Sequence, residues 1–213
     1  MPASGSKHGS RLRALWVAAI AAWVGCVGVG VAALIKYSST PGTPAPLPAR
    51  WPQQLPFKPQ PSGFTLILTL HPHCPCSRAT VGELARLMTR QAAGVRAYLL
   101  MVKPSGTPDR WELTSLWEQT RDIPGVVVMP DRNGALSQSL GATTSGQVFV
   151  FDPTGRALFS GGITAARGHM GDSVGSDAIA SLLCGRATER HTAPVFGCPL
   201  QGSSDLSASG ATP

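Results

Sequence analysis

The chain has 213 residues, 43% of them hydrophobic, which is enough for one globular domain with a true core plus additional segments. Its net charge is +7, but Lys7, Arg11, Arg13 and Lys36 lie in the first 36 residues without an acid, so only +3 belongs to the remainder. The later basic residues are scattered singly, which argues against a nucleic-acid surface, where basic groups cluster on one face or run.

Residues 1–13 are polar, small and basic and read as a cytoplasmic N-terminus. Ala14 to Ile35 then run without a charge. Twenty-two residues at ~1.5 Å each span ~33 Å, close to the hydrocarbon thickness of a bilayer. A cleaved signal peptide has a shorter apolar centre and a small-residue cleavage site. A lipoprotein reading of Val24-Gly25-Cys26 meets Trp23 before it and further apolar residues after it. The expectation is an uncleaved single-pass anchor over 14–36. The basic residues ahead of it favour a cytoplasmic N-terminus and an extracytoplasmic, periplasmic C-terminal domain, while Lys36 counts weakly the other way.

Residues 37–62 read as a linker. Prolines 41, 44, 46, 48, 52, 56, 59 and 61 forbid helix and central strand there and suggest a semi-extended spacer. The domain is expected over 63–200. Phe64 to Leu70 suits a buried strand, and Val81, Leu84, Leu87 and Met88 mark a helix from near Cys76 to Gly94. Val95 to Val102 is the second strand. Asp109 with Glu112 resembles a capping signal for a helix bearing Leu113, Leu116, Trp117 and Thr120. Val126 to Met129 is the third strand. A turn at Asp131 to Gly134 precedes a short helix, and Gln147–Phe151 with Ala157–Ser160 reads as a hairpin around Asp152 to Gly155. A glycine-rich loop leads to a last helix near Asp177 to Leu183. Residues 201–213 are small and polar and read as a disordered tail. The order β-α-β-α-β-(α)-β-β-α predicts an α/β three-layer sandwich on a central mixed sheet.

The chemistry concentrates in His71-Pro72-His73-Cys74-Pro75-Cys76, at the junction of the first strand and helix. Proline suits the first helical position, which puts Cys74 at the N-cap and Cys76 in the first turn. Unpaired N–H groups and the helix dipole favour a thiolate there. Cys74 then reads as the reactive thiol and Cys76 as its resolving partner, with His71 and His73 adding charge or relaying a proton. In a competing register Thr80 and Glu83 cap the helix and leave both cysteines in a loop. A disulfide across one residue is a small, strained ring and therefore exchange-prone. Metal is the rival reading: no cofactor is expected under the first, but His71, His73, Cys74, Cys76 and a distant His169 form a ligand set suited to copper. Cys184 and Cys198 are expected to form a structural disulfide. The alternative is that Cys198 exchanges with the central pair. Arg167 and His169 read either as a second wall of the site or as surface loop. Asp131 reads as a turn former and Trp111 as packing.

The strand–Cys-x-Cys–helix opening, the Asp131 turn, the Gly141-Ala-Thr-Thr-Ser-Gly-Gln-Val148 approach to a strand and the closing hairpin resemble the thioredoxin-like superfamily. More narrowly, His-Pro-His-Cys-Pro-Cys, Ser160-Gly-Gly-Ile-Thr164 and Ala166-Arg-Gly-His169 are similar to membrane-anchored RedB-type proteins. The resemblance implies thiol–disulfide exchange at Cys74 and Cys76 with a protein thiol or disulfide as substrate. It implies a substrate-side loop at Ser145 and Gly146. Two departures stand out. One residue rather than two separates the cysteines, and Gly146 stands where the superfamily carries a cis-proline.

Overall fold

Phe64–Leu70 forms the central strand, β1, of a six-stranded mixed sheet in the computed structural model, which describes residues 6–91 and 94–200. The other strands are β2 (Val95–Lys103), β3 (Val126–Arg132), β4 (Gln147–Phe151), β5 (Ala157–Gly161) and β6 (Thr192–Ala193). The helices are α1 (Ser6–Ser39), α2 (Pro75–Gln91), α3 (Ser115–Arg121), α4 (Ala135–Ser139) and α5 (Val174–Leu183). Strand order across the sheet is β3-β2-β1-β4-β5-β6. β1 runs parallel to β2 and antiparallel to β4, so the chain returns to the centre of the sheet through the hairpin. Crossover from β1 to a parallel neighbour requires a long connection, and α2 supplies it. This is the thioredoxin-like arrangement expected from the sequence.

β1 is buried along nearly its whole length, which fits a strand covered on both faces. Leu66, Leu68 and Leu70 point to one face, packed with Val81, Leu84 and Met88 of α2, Leu116 of α3 and Ile179 of α5. Ile67 points to the other face with Leu100, Val102, Phe149 and Phe151. That second face is covered by something the sequence did not announce. Ala45 and Leu55 are buried in this cluster, with Trp51 and Phe57 packed against it. Trp51 meets Phe151 edge-on at 4.8 Å, and Phe57 stacks on Tyr98 at 3.8 Å.

The expectation of a spacer over 37–62 is therefore corrected. Residues 37–39 belong to α1; beyond them the prolines do keep the segment free of helix, but it is a structural layer. The Ala45 N–H donates to Gln147 Oε1 (3.0 Å), Ser160 Oγ donates to the Ala45 carbonyl (2.8 Å), and the Trp51 N–H donates to the Gly155 carbonyl (2.8 Å). α4 is too short to cover the sheet alone, and burying a side chain such as Leu55 contributes roughly 1.5–3 kcal/mol. The compact unit accordingly begins at Ser39.

Three smaller differences have local causes. Asp109 and Glu112 do not cap a helix. α3 starts at Ser115, and Glu112 instead pairs with Lys103 at 3.0 Å. Asp131 and Arg132 belong to β3 rather than to a turn. Asp131 is fully buried and accepts from the N–H groups of Leu136 and Ser137 and from Ser137 Oγ, so its carboxylate holds the start of α4. β6 was not expected. It joins β5 because Gly161 has no side chain: a Cβ there would stand 2.5 Å from the Ala193 nitrogen.

The unit Met1–Ser38 is described separately. Gly9–Ser39 is one helix long and apolar enough to cross a membrane by length and composition. Residues 1–5 of the expected cytoplasmic N-terminus and the expected tail 201–213 lie outside the described residues.

Candidate active site

β1 ends at Leu70, the Cys74 N–H closes a turn on the His71 carbonyl (3.1 Å), and Pro75 is the first residue of α2. The register that begins at the Cys-Pro-Cys run is therefore the one adopted. Glu83 is not a capping residue. It is buried, bonds Arg86 and accepts the Gly171 N–H at 2.7 Å. Cys74 sits at the mouth of the helix and Cys76 in its first turn, 4% and 8% exposed.

The third member of the site comes from the far end of the chain. Cys198 Sγ lies 2.8 Å from Cys74 Sγ, and the sulfurs of Cys74, Cys76 and Cys198 all lie within 4.8 Å of one another. This corrects the expected Cys184–Cys198 staple. Cys184 is exposed at the C-cap of α5, and Cys198 is committed to the central pair.

Cys198 is delivered by an extended strap. The Gly42 N–H donates to the Val195 carbonyl (2.8 Å), the Ser145 N–H to the Cys198 carbonyl (2.8 Å) and the Leu200 N–H to the Thr143 carbonyl (2.9 Å). Thr144 and Pro199 form an antiparallel bridge. The approach needs Gly197, where a Cβ would stand 1.8 Å from the Ser145 carbonyl oxygen.

The three thiols are electrostatically unequal. Burial pushes Cys74 up, but hydrogen bonds from the Cys198 side chain and backbone, and from the backbone of Cys76 and Ser77, outweigh it and hold Cys74 below an ordinary thiol. Burial raises Cys76, and the charge of Cys74 raises it further, against the pull of Arg167. Burial and the hydrogen bond to Cys74 push Cys198 up to about 12, with the charges of Cys74 and Cys76 adding to them. The arrangement favours one thiolate, Cys74, facing two protonated thiols.

The other expected site residues divide. Ser145 is buried beside the pair: its Oγ accepts the His71 N–H (2.9 Å) and lies 2.9 Å from Ser77 Oγ. Gly146 adopts a left-handed φ of 93° and donates its N–H to the Thr69 carbonyl (2.8 Å). Arg167 reaches the site. Its guanidinium donates to the Gly197 and Thr40 carbonyls. His169 does not. It is exposed, and its Nδ1 lies 2.7 Å from the Arg167 carbonyl. His71 and His73 stand at the rim against Trp111, with ring centroids 5.5 and 4.4 Å away. Burial, then His73, lowers the pKa of His71. Among the described residues, no histidine joins the sulfur cluster, so the ligand set expected for metal is redrawn as three cysteines.

Sequence reasoning preferred Cys184 as the partner of Cys198 and held exchange with the central pair only as the alternative, which is the one the geometry favours; it missed Trp111 as the rim. A cavity of about 510 Å³ adjoins the strap, lined in part by Thr43, Ala142, Arg167, Gly197 and Leu200, and none of the three cysteines lines it.

No family model and no curated protein matches the chain. Solved structures do. A hypothetical protein from Sinorhizobium meliloti 1021 is 17% identical with a TM-score of 0.60, over 76% of this chain and 100% of that one. An uncharacterized conserved protein from Geobacillus kaustophilus is 18% identical with a TM-score of 0.53, over 78% and 93%. Further matches are thioredoxin-like proteins. One is a secreted Mycobacterium tuberculosis disulfide oxidoreductase, 10% identical with a TM-score of 0.41, over 58% and 81%. At these identities the likeness speaks to the fold only.

Proposed function

We propose that this chain is a thiol–disulfide oxidoreductase of the RedB-like kind, held at a membrane by α1 with its domain on the extracytoplasmic side. The observation that carries the reading is Cys74: a thiol at the head of α2, held below the ordinary range, with two further sulfurs within reach. The Cys74 thiolate attacks one sulfur of a protein disulfide. The substrate S–S bond breaks, one substrate thiolate leaves, and a mixed disulfide remains on Cys74. A second thiol of the cluster then attacks Cys74 Sγ and expels the other substrate sulfur, which takes up the proton. The protein pair is oxidised by two electrons and the substrate is reduced; the reverse sequence oxidises a dithiol.

The test is exchange with a model protein disulfide by the full chain in detergent. Cys74→Ser is expected to fall to background. Full activity in that variant would end the reading. Location is tested by protease treatment of intact cells, where digestion of the domain only after the inner membrane is opened would contradict the proposed side.

A second reading is supported by the three clustered sulfurs. Soft thiolates within one ion's reach suit Cu(I). Dialysis of the reduced chain against Cu(I) tests it: stoichiometric retention supports a copper-handling role, and none removes it.

A further inference from the structure

We infer that Cys198, rather than Cys76, is the thiol that closes a disulfide with Cys74, and that the strap carrying it covers Cys74 between reaction cycles. The inference rests on the exchange reading above and names the resolving residue within it.

Cys74 and Cys76 flank the first helical residue. Their sulfurs lie within 4.8 Å of each other, but a disulfide across one intervening residue closes a small, strained ring, so a bridge between them must distort the first turn. Cys198 approaches from a separate strand and is already in contact, its Sγ 2.8 Å from Cys74 Sγ. Nothing in α2 has to move for that bond to form.

The strap also controls access. Cys74 is 4% exposed, and the backbone groups of Thr143 and Ser145 beside it are taken by Leu200 and Cys198. A protein disulfide reaches Cys74 only when this strap lifts. The strap is suited to lifting. Beyond the fully buried Val195 it is held by a few backbone hydrogen bonds, by Arg167 on Gly197 and by the buried Leu200, and it contributes no strand to the centre of the sheet.

The steps balance. With the strap lifted, the Cys74 thiolate and a substrate disulfide give a mixed disulfide and one substrate thiolate. The strap returns, and Cys198 sulfur attacks Cys74 Sγ. The mixed disulfide breaks, the second substrate sulfur leaves as a thiolate, and the proton released by Cys198 passes to it. The products are a Cys74–Cys198 disulfide and a reduced substrate.

The experiment uses the full chain in detergent, oxidised with glutathione disulfide, alkylated and digested with trypsin without reduction. Cys74 and Cys76 lie together in peptide 51–78, Cys184 in 168–186 and Cys198 in 191–213. The expected result is peptide 51–78 linked to 191–213, in the unaltered chain and in Cys76→Ser. Cys198→Ser is expected to accumulate glutathione on Cys74, and Cys76→Ser is not. An internal loop within 51–78 with 191–213 alkylated would overturn the inference while leaving exchange at Cys74 standing. A link between 168–186 and 191–213 would overturn it in the same way. A Cys74 that is never oxidised would instead defeat the exchange reading itself. The map of the unaltered chain needs no variant to fold.

Discussion

Arg167 donates from its guanidinium to the carbonyl of Gly197, the residue immediately before Cys198. One side chain thus fastens the strap and places a positive charge near two sulfurs. That charge lowers the pKa of both Cys76 and Cys198 against the burial that raises them. Arg167→Gln is expected to move the alkylation midpoints of Cys76 and Cys198 further up in pH and to move that of Cys74 less, since burial and the hydrogen bonds from Cys198, Cys76 and Ser77 govern it. Mass-resolved alkylation across a pH series measures this. Equal movement of all three midpoints would mean that the arginine acts only through folding.

Gly197 permits the strap's closest approach to the loop before β4. Gly197→Ala puts a methyl group 1.8 Å from the Ser145 carbonyl oxygen, and backbone on both sides leaves no side chain to yield. Overpacking of this sort costs about 1–3 kcal/mol. The strap is expected to detach before the sheet unfolds. Hydrogen exchange at the Ser145 and Leu200 amides should speed up, while β1 amides keep their protection. Unchanged exchange at those two amides would contradict the described strap.

The pH dependence of stability should carry a signature of His71. Its folded pKa is lowered, chiefly by burial and then by His73, so the unfolded chain binds this proton more tightly. Stability from neutral His71 is present above the unfolded value of about 6.5 and is lost as pH falls through it. Chemical unfolding at pH 7.5 and pH 5.5 should show a drop that His71→Asn reduces. A slope that the variant leaves untouched would assign the drop to other groups.

Trp51 tests the layer formed by the proline-rich segment. It touches Phe57 and Phe151 and is partly buried. Trp51→Ala is expected to cost about 2–4 kcal/mol, somewhat less than loss of a fully buried tryptophan. A change within about 0.5 kcal/mol, the size expected for an exposed surface position, would restore the view of the segment as a spacer.

The elements legible in the sequence were those whose signal is local. Leu66, Leu68 and Leu70 with Val81, Leu84 and Met88 carry their own periodicity, and Pro75 marks the first turn of α2. What the sequence hid is long-range. The prolines of 41–61 state which backbone conformations are forbidden and say nothing of what Trp51 and Leu55 touch. Cys198 stands 124 positions from Cys74, and no local pattern couples them. Spacing made Cys184 the nearer partner, yet Gly161 and Gly197 let the chain end run back along β5 and the Ser145 loop. Asp109 and Glu112 had the letters of a cap, but Glu112 was drawn to Lys103.

The measurement that tests the central claim most directly is a redox titration of the full chain in glutathione buffers, counting alkylated thiols by mass with and without a copper chelator. The account predicts that Cys74 loses its thiol together with one other cysteine of the cluster in a single two-electron step, and that the chelator does not shift it. Thiols that remain reduced at every potential, yet resist alkylation until the chelator is added, would contradict it and assign the three sulfurs to metal.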